Sequence, residues 1–221
     1  MRNSLPSFVR LAILALLLAS APASAQTPAV VISFNDMTTG QPPLGFTTGL
    51  GGTGASSIWR IEDDARAPRG KVLIQKSTDS SSMRYPICMY DSIRTLNADV
   101  TTTFNIVSGK IDQVAGIALR VTDEGNYYLA RASAKDNAVT LSRFVGGSGS
   151  DLTSTSVKVP AGTWQTLRFK IDRERLTVYL NGQQVIEWSD NRHTREGRVG
   201  LWTRADAVTM FDDLSITVMH N

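Results

Sequence analysis

The chain has 221 residues, with 23 Lys and Arg against 20 Asp and Glu, one Cys and two His. A lone cysteine excludes an internal disulfide, and two histidines, His193 and His220, argue against a zinc or iron centre built on clustered imidazoles. A net charge of +3 without a Lys/Arg cluster interleaved with aromatics exerts little pull on a phosphate backbone, so nucleic acid is not an expected partner.

Arg2 and Arg10 precede and abut the apolar run Leu11 to Ala19, and an Ala-x-Ala site follows at Ala23 and Ala25. The run is shorter than the ~20 residues that span a bilayer, so residues 1–25 have the pattern of a cleaved secretory signal. Cleavage removes two Arg and no acid, which lowers the net charge from +3 to +1. No later stretch is long and apolar enough for a membrane span. Residues 26–221 are expected to form one domain, periplasmic or secreted, and nothing in the sequence sets an oligomeric state.

Ala29 to Phe34 is a short β-rich run, and the Gly/Pro/Thr-rich segment from Thr38 to Ser57 is expected to be a surface loop. Ile58 to Ile61 and Val72 to Ile74 are the next strands, Ser77 to Ser82 is a loop, and Tyr85 to Tyr90 is ambiguous. From Ala98 the pattern clears: Val100, Thr102, Phe104 and Ile106 alternate with polar residues, the period of a half-buried strand. Ile117, Leu119 and Val121 continue it. Thr122 to Asn126 leads into Tyr127 to Arg131 as a hairpin connection in which Gly and Asn tolerate positive φ. Asn137 to Val145 is a further strand ending at Gly146 to Gly149. Trp164 to Ile171 and Leu176 to Leu180 follow, then Asn181-Gly182, which is the strongest hairpin signal in the chain, and the returning strand Gln183 to Trp188. After the polar loop Ser189 to Gly197, alternation puts Val199, Leu201 and Thr203 on one face and Trp202 with Arg204 on the other. Phe211, Leu214, Ile216 and Val218 anchor a closing strand whose alternation Asp212-Asp213 interrupts.

Many short strands, Gly-rich loops and no helix apart from the signal imply an all-β, two-sheet antiparallel sandwich. Gln113 to Arg120, Gly125 to Arg131, Trp164 to Arg168 and Gly197 to Asp206 with Phe211 to Asp213 resemble exported bacterial proteins of the concanavalin A-like lectin/glucanase jelly-roll fold. More closely, they resemble the group related to laminin-G-like domains and to the 3-keto-disaccharide hydrolase family. That fold hosts lectins, glucanases and adhesive modules, so the resemblance bears on fold more than on activity.

Family 16 glucanases of this fold carry a Glu-x-Asp-x-x-Glu strand. Here Glu62 and Asp64 match in part, but Ala67 stands at the last position, so the carboxylate pair of a retaining hydrolase is missing. The candidate ligand surface is Arg120, Tyr127, Arg131, Trp202 and Arg204, with Asn126, Asp136 and Asn137 from adjoining turns. Aromatic rings stack on a sugar's apolar face, while Arg, Asn and Asp bond its hydroxyls or acid groups. Three readings follow: a saccharide-binding or adhesive domain without chemistry; a hydrolase or lyase of 3-keto glycosides, with Asp123 or Asp206 as base, as that resemblance implies; and a structural envelope protein that binds another protein. No cofactor is expected. Asp36 and Asp213, near the first and last strands, are candidate ligands of a structural Ca2+, which takes six to eight oxygens. Cys88 and His193 are expected to be an inert thiol and a solvated loop imidazole.

Overall fold

The alternation expected from Ala98 onward is realised in a computed structural model that describes residues 28–219 together with Met1; the signal expected over residues 1–25 lies, but for Met1, outside the described residues. The strands are β1 Val30–Ser33, β2 Phe46–Gly52, β3 Trp59–Asp63, β4 Lys71–Gln75 and β5 Arg84–Thr95, then β6 Ala98–Ser108, β7 Val114–Asp123, β8 Asn126–Ser133, β9 Ala138–Val145 and β10 Ser148–Ser156. The last five are β11 Gln165–Asp172, β12 Arg175–Leu180, β13 Gln183–Ser189, β14 Gly197–Trp202 and β15 Val208–Val218. They form two antiparallel sheets. One runs β13-β12-β11-β6-β15-β4-β3 with β1 also on β15, and the other runs β10-β9-β8-β7-β14-β5-β2.

Three strands depart from the sequence reading. β2 lies inside the segment expected to be a loop: its Thr and Gly residues carry little strand propensity, but pairing with β5 fixes it as an edge. The ambiguous Tyr85 to Tyr90 belongs to the twelve-residue β5. The Ser/Thr-rich β10 is a polar edge strand on β9. Asn181 and Gly182 take φ of 51° and 81° in the β12–β13 turn, as the hairpin signal requires. The β7–β8 turn forms without the positive φ expected there. Gly125 is instead needed for space, since a Cβ on it would sit 2.7 Å from the Gly147 nitrogen.

The main core lies between the sheets and includes Phe104, Phe169, Leu201 and Phe211, each fully buried. The terminal strands pair, Val30 opposite Ile216, and the β15 register shifts between Phe211 and Asp213, where the acids break the alternation. A second apolar cluster, with Ile87, Met89, Tyr127, Phe144 and Trp202, covers the outer face of the β10…β2 sheet. Tyr85 of β5 and Phe144 of β9 stand four strand positions apart, which in a flat sheet is roughly 19 Å, yet their ring centroids are 5.2 Å apart. The sheet is therefore strongly curved, and this outer face is its hollow side.

Candidate saccharide cleft

Parity in β14 is as the sequence implies: Val199 and Leu201 enter the inter-sheet core, and Trp202 belongs to the hollow face. The indole does not stand free there. It is 1% exposed, stacked on Tyr85 at 5.9 Å and 16°, with Phe144 at 6.3 Å, and its Nε1–H donates to the Tyr127 hydroxyl at 3.1 Å. Gly116 lies between Trp202 and Arg131 in the sheet and leaves the gap the ring fills, because a Cβ there would be 3.3 Å from the indole. Tyr127 is fully buried and stacked on Phe144, and burial pushes its hydroxyl pKa far up. Neither ring presents a free face, so Trp202 and Tyr127 are the floor of the site rather than its stacking surface.

Above that floor is a cleft of about 220 Å³ lined by Tyr85, Arg131, Phe144, Asp151, Trp202 and Arg204. Tyr85 is half-buried and Asp151 is exposed. Arg131 grips Asp151 through both guanidinium ends, at 3.0 and 3.2 Å, and Ser142 Oγ donates to the same carboxylate at 2.7 Å. Burial alone would raise the Asp151 pKa, but these bonds hold it below the ordinary carboxylate value. Arg204 donates to Ser82 O at 3.0 Å and pairs with Asp112 at 3.5 Å. Burial pushes the Asp112 carboxyl up, against the Gln113 N–H and Arg204, with nearby Asp136 adding to the rise. Asp151 at the cleft is thus held toward its ionised form, while the buried Asp112 behind Arg204 is shifted toward its protonated form. Tyr85, Asp112, Ser142, Phe144 and Asp151 were not singled out in the sequence. The alternation of Phe144 with Val139 and Leu141 could have placed it opposite the core, while the loop acid Asp112 carries no local signal.

Arg120 does not join this cleft. Its φ is +53°, and with a bulge between Leu119 and Asp123 the parity of β7 flips: Leu119 enters the main core, Val121 the outer cluster. The Arg120 side chain points between the sheets at their end, 5% exposed, donating to the carbonyls of Leu96, Arg173 and His193 at 2.6–2.7 Å and lying over the Tyr128 ring. It is a clamp joining both sheets to the β13–β14 loop. Gly197 permits the bulge, since any Cβ there would strike the Arg120 backbone.

The other expected residues serve turns. Asp123 accepts from Gly125 N and Asn126 Nδ2, and Asn126 Oδ1 accepts from Gly146 N, joining two hairpin tips. Asn137 holds Val159 N, and Asp136 is bonded to Ser133. Asp206 accepts from the amides of Lys110, Ile111 and Asp112. Burial would raise its pKa, but those amides hold it low, so it anchors a loop and is a poor base. Asp123 ends β7 and Asp206 adjoins its start, roughly 30 Å away along the strand, so they share no site. Asp213 accepts from Thr103 N, and Arg69 pairs with Asp213 at 3.1 Å and Asp212 at 3.7 Å, so a guanidinium already occupies that acid pair. Asp36 is exposed, and among the described residues no group of three or more His, Cys, Asp or Glu is arranged to hold a metal ion. Cys88 is buried with its thiol pKa pushed up by burial. His193 is docked rather than solvated: its Nε2 lies 2.8 Å from Phe144 O, its ring meets Tyr128 edge-on, and burial lowers its pKa.

Residues 53–217 match the family described as the 3-keto-alpha-glucoside-1,2-lyase-like domain. No curated protein sequence matches the chain. Among solved structures, carbohydrate binding module CBM66 from Bacillus subtilis is 21% identical with a TM-score of 0.63, covering 78% of this chain and 95% of its own. Domain 4 of AbnA, a GH43 extracellular arabinanase from Geobacillus stearothermophilus in complex with arabinotriose, is 14% identical with a TM-score of 0.56, covering 87% and 93%. The VIP36 exoplasmic/lumenal domain in its Ca2+/Man-bound form is 10% identical with a TM-score of 0.56, covering 87% and 90%. At these identities the likeness is one of fold.

Proposed function

The chain belongs to the 3-keto-alpha-glucoside-1,2-lyase-like domain family, and from that premise we propose that it is an exported domain that binds saccharide in the cleft above Trp202. The observation that carries this reading is the cleft itself, where a curved sheet gathers an aromatic floor, the Arg131–Asp151 pair and Arg204 around about 220 Å³. A pyranose has an apolar C–H face and a rim of hydroxyls. Tyr85 supplies a half-open ring for the first, while Arg204, Asp151 and Arg131 supply donors and acceptors for the second. The neighbours named for carbohydrate binding, arabinotriose and Man support the same class of ligand. Export to the periplasm or beyond is part of the proposal, supported by the pattern of residues 1–25, as is a single domain over residues 26–221, supported by one core shared by both sheets. Among the described residues no helix is long and apolar enough to cross a membrane.

The test is a glycan array followed by titration calorimetry. Tyr85→Ala and Arg204→Ala should each weaken binding about tenfold, or ~1.4 kcal/mol, with cooperative unfolding retained. Affinity unchanged in both variants would sink the cleft as the site.

A second reading is favoured by Asp112. In a 3-keto glycoside the hydrogen on C2 is acidified by the adjacent carbonyl. The Asp112 carboxylate, beside the Arg204 guanidinium, would take that proton as the C2–H electron pair forms the C1–C2 double bond and the C1–O bond breaks, and the aglycone would leave as an alcohol, its oxygen protonated by Asp112 or water. Asp112 thereby replaces Asp123 and Asp206 as the candidate base. Product formation from methyl 3-keto-α-glucoside followed by NMR tests it, and turnover undiminished in Asp112→Asn would end this reading.

A further inference from the structure

The loop from Asp190 to Glu196, which joins β13 to β14, contains no apolar residue, so nothing hydrophobic fastens it to the end of the sandwich. Polar and charged contacts hold it instead. The Asp190 carboxylate accepts from the Tyr128 hydroxyl of β8, from Arg143 of β9 and from the Arg192 amide, and the Asp190 amide donates to Glu174 O at 3.0 Å. Tyr128 Oη in turn accepts from the His193 amide at 3.1 Å. The His193 ring is half-buried, edge-on to Tyr128, with its Nε2 2.8 Å from Phe144 O. Arg120 donates to His193 O, but it also holds Leu96 O and Arg173 O, so it keeps two of its three acceptors when the loop leaves. Phe144 thus offers its carbonyl to the loop and its ring to the cleft.

A carbonyl can only accept, so Nε2 carries a hydrogen, and a further proton would go to Nδ1 and charge the ring. The surroundings oppose that charge. Arg192 and Arg195 on the loop, Arg143 on β9 and Arg120 on β7 stand against the carboxylates of Asp190 and Asp123, and both carboxylates are already committed, Asp190 as above and Asp123 to Gly125 N and Asn126 Nδ2. Burial lowers the His193 pKa, the Phe144 carbonyl and Asp190 pull it back in part, and Arg143 adds to the fall, so the docked ring stands below the ordinary 6.5. Burial would raise the Asp190 pKa, but the Tyr128 hydroxyl, the Arg192 amide and Arg143 hold it below 3.8, so that carboxylate keeps its charge through mild acid. An undocked loop carries an ordinary imidazole that takes a proton below pH 6.5, whereas the docked ring resists until its own lower value is reached. Docking is therefore at full strength above 6.5 and weakens as pH falls between the two values.

We propose that the β13–β14 loop is a latch that mild acid releases through His193, untying the loop from the Phe144 wall of the cleft. The latch goes beyond the saccharide reading and holds whatever the cleft binds.

Amide hydrogen exchange of the full protein, corrected for the pH dependence of the intrinsic rate, tests it. The Arg192 and His193 amides should be roughly three- to tenfold less protected at pH 5.5 than at pH 7.5, because docking falls by at most about tenfold over the one pH unit below 6.5. His193→Gln, whose side-chain amide still donates to a carbonyl and never charges, should show equal protection at both. In NMR spectra of the wild type the His193 ring should titrate below 6.5, over the range in which protection is lost, and this decides the matter if the Gln side chain fails to dock. Protection independent of pH in the wild type, a fall of equal size in His193→Gln, or a His193 ring that titrates at or above 6.5 overturns the latch.

Discussion

Replacing Trp202 with alanine should unfold the protein more readily before it says anything about ligand. The indole is 1% exposed and buries roughly 200 Å² of largely apolar area, which at about 25 cal/mol per Å² is ~5 kcal/mol, within reach of the ~3–5 kcal/mol measured for such truncations. Its Nε1–H also satisfies the Tyr127 hydroxyl, and an unpaired buried hydroxyl costs a further ~1–3 kcal/mol. For a chain of this size each kcal/mol lowers Tm by about 2–4 °C, so Trp202→Ala should melt roughly 10–20 °C below the wild type. Urea unfolding followed by circular dichroism should show the midpoint falling at constant slope. Trp202→Phe with Tyr127→Phe should cost less than the sum of the single changes, since the pair then removes donor and acceptor together. A Trp202→Ala protein within about 1 kcal/mol of the wild type would refute the packed-floor account and return the indole to the role of an open stacking ring.

Arg120→Met should remove three buried charge-assisted bonds to carbonyls and cost roughly 3–5 kcal/mol, with Arg120→Lys failing to restore it because one ammonium cannot span the three acceptors; thermal melts check the loss, and saccharide affinity should be unchanged. Asp206 has a folded pKa below its ordinary value of 3.8, so its contribution is present above 3.8 and lost as pH falls through the lower folded value. The stability gap between wild type and Asp206→Asn, about 1–3 kcal/mol at neutral pH, should therefore close in acid, and a gap that widened there would contradict the amide cradle. Calcium or EDTA should leave Tm unchanged, because Arg69 already bridges Asp212 and Asp213; a clear rise with calcium would mean that the cation displaces the guanidinium.

Much of the fold could be read along the chain because strand alternation is local. Val100, Phe104 and Ile106 repeat every second residue and enter the core, Asn181-Gly182 turns where its dihedrals allow, and Val199, Leu201 and Trp202 keep the parity their spacing implies. The edges were harder. β2 and β10 are rich in Gly, Ser and Thr, whose weak preference is overruled by hydrogen bonding to β5 and β9, partners far away or of no distinctive composition.

By itself, the sequence determined that the protein is all-β and that Trp202 lies on the strand face opposite Val199 and Leu201. Only the tertiary structure decided which of these residues share a site. The left-handed backbone at Arg120 turns its side chain inward, the curvature of a seven-stranded sheet brings Tyr85 to Phe144, the β6–β7 loop delivers Asp112 to Arg204, and the edge strand β10 delivers Asp151 to Arg131. The physical reason is one of range. A two-residue period fixes the face of a side chain, whereas bulges, curvature and charge pairing come from neighbours that the chain reaches only after folding.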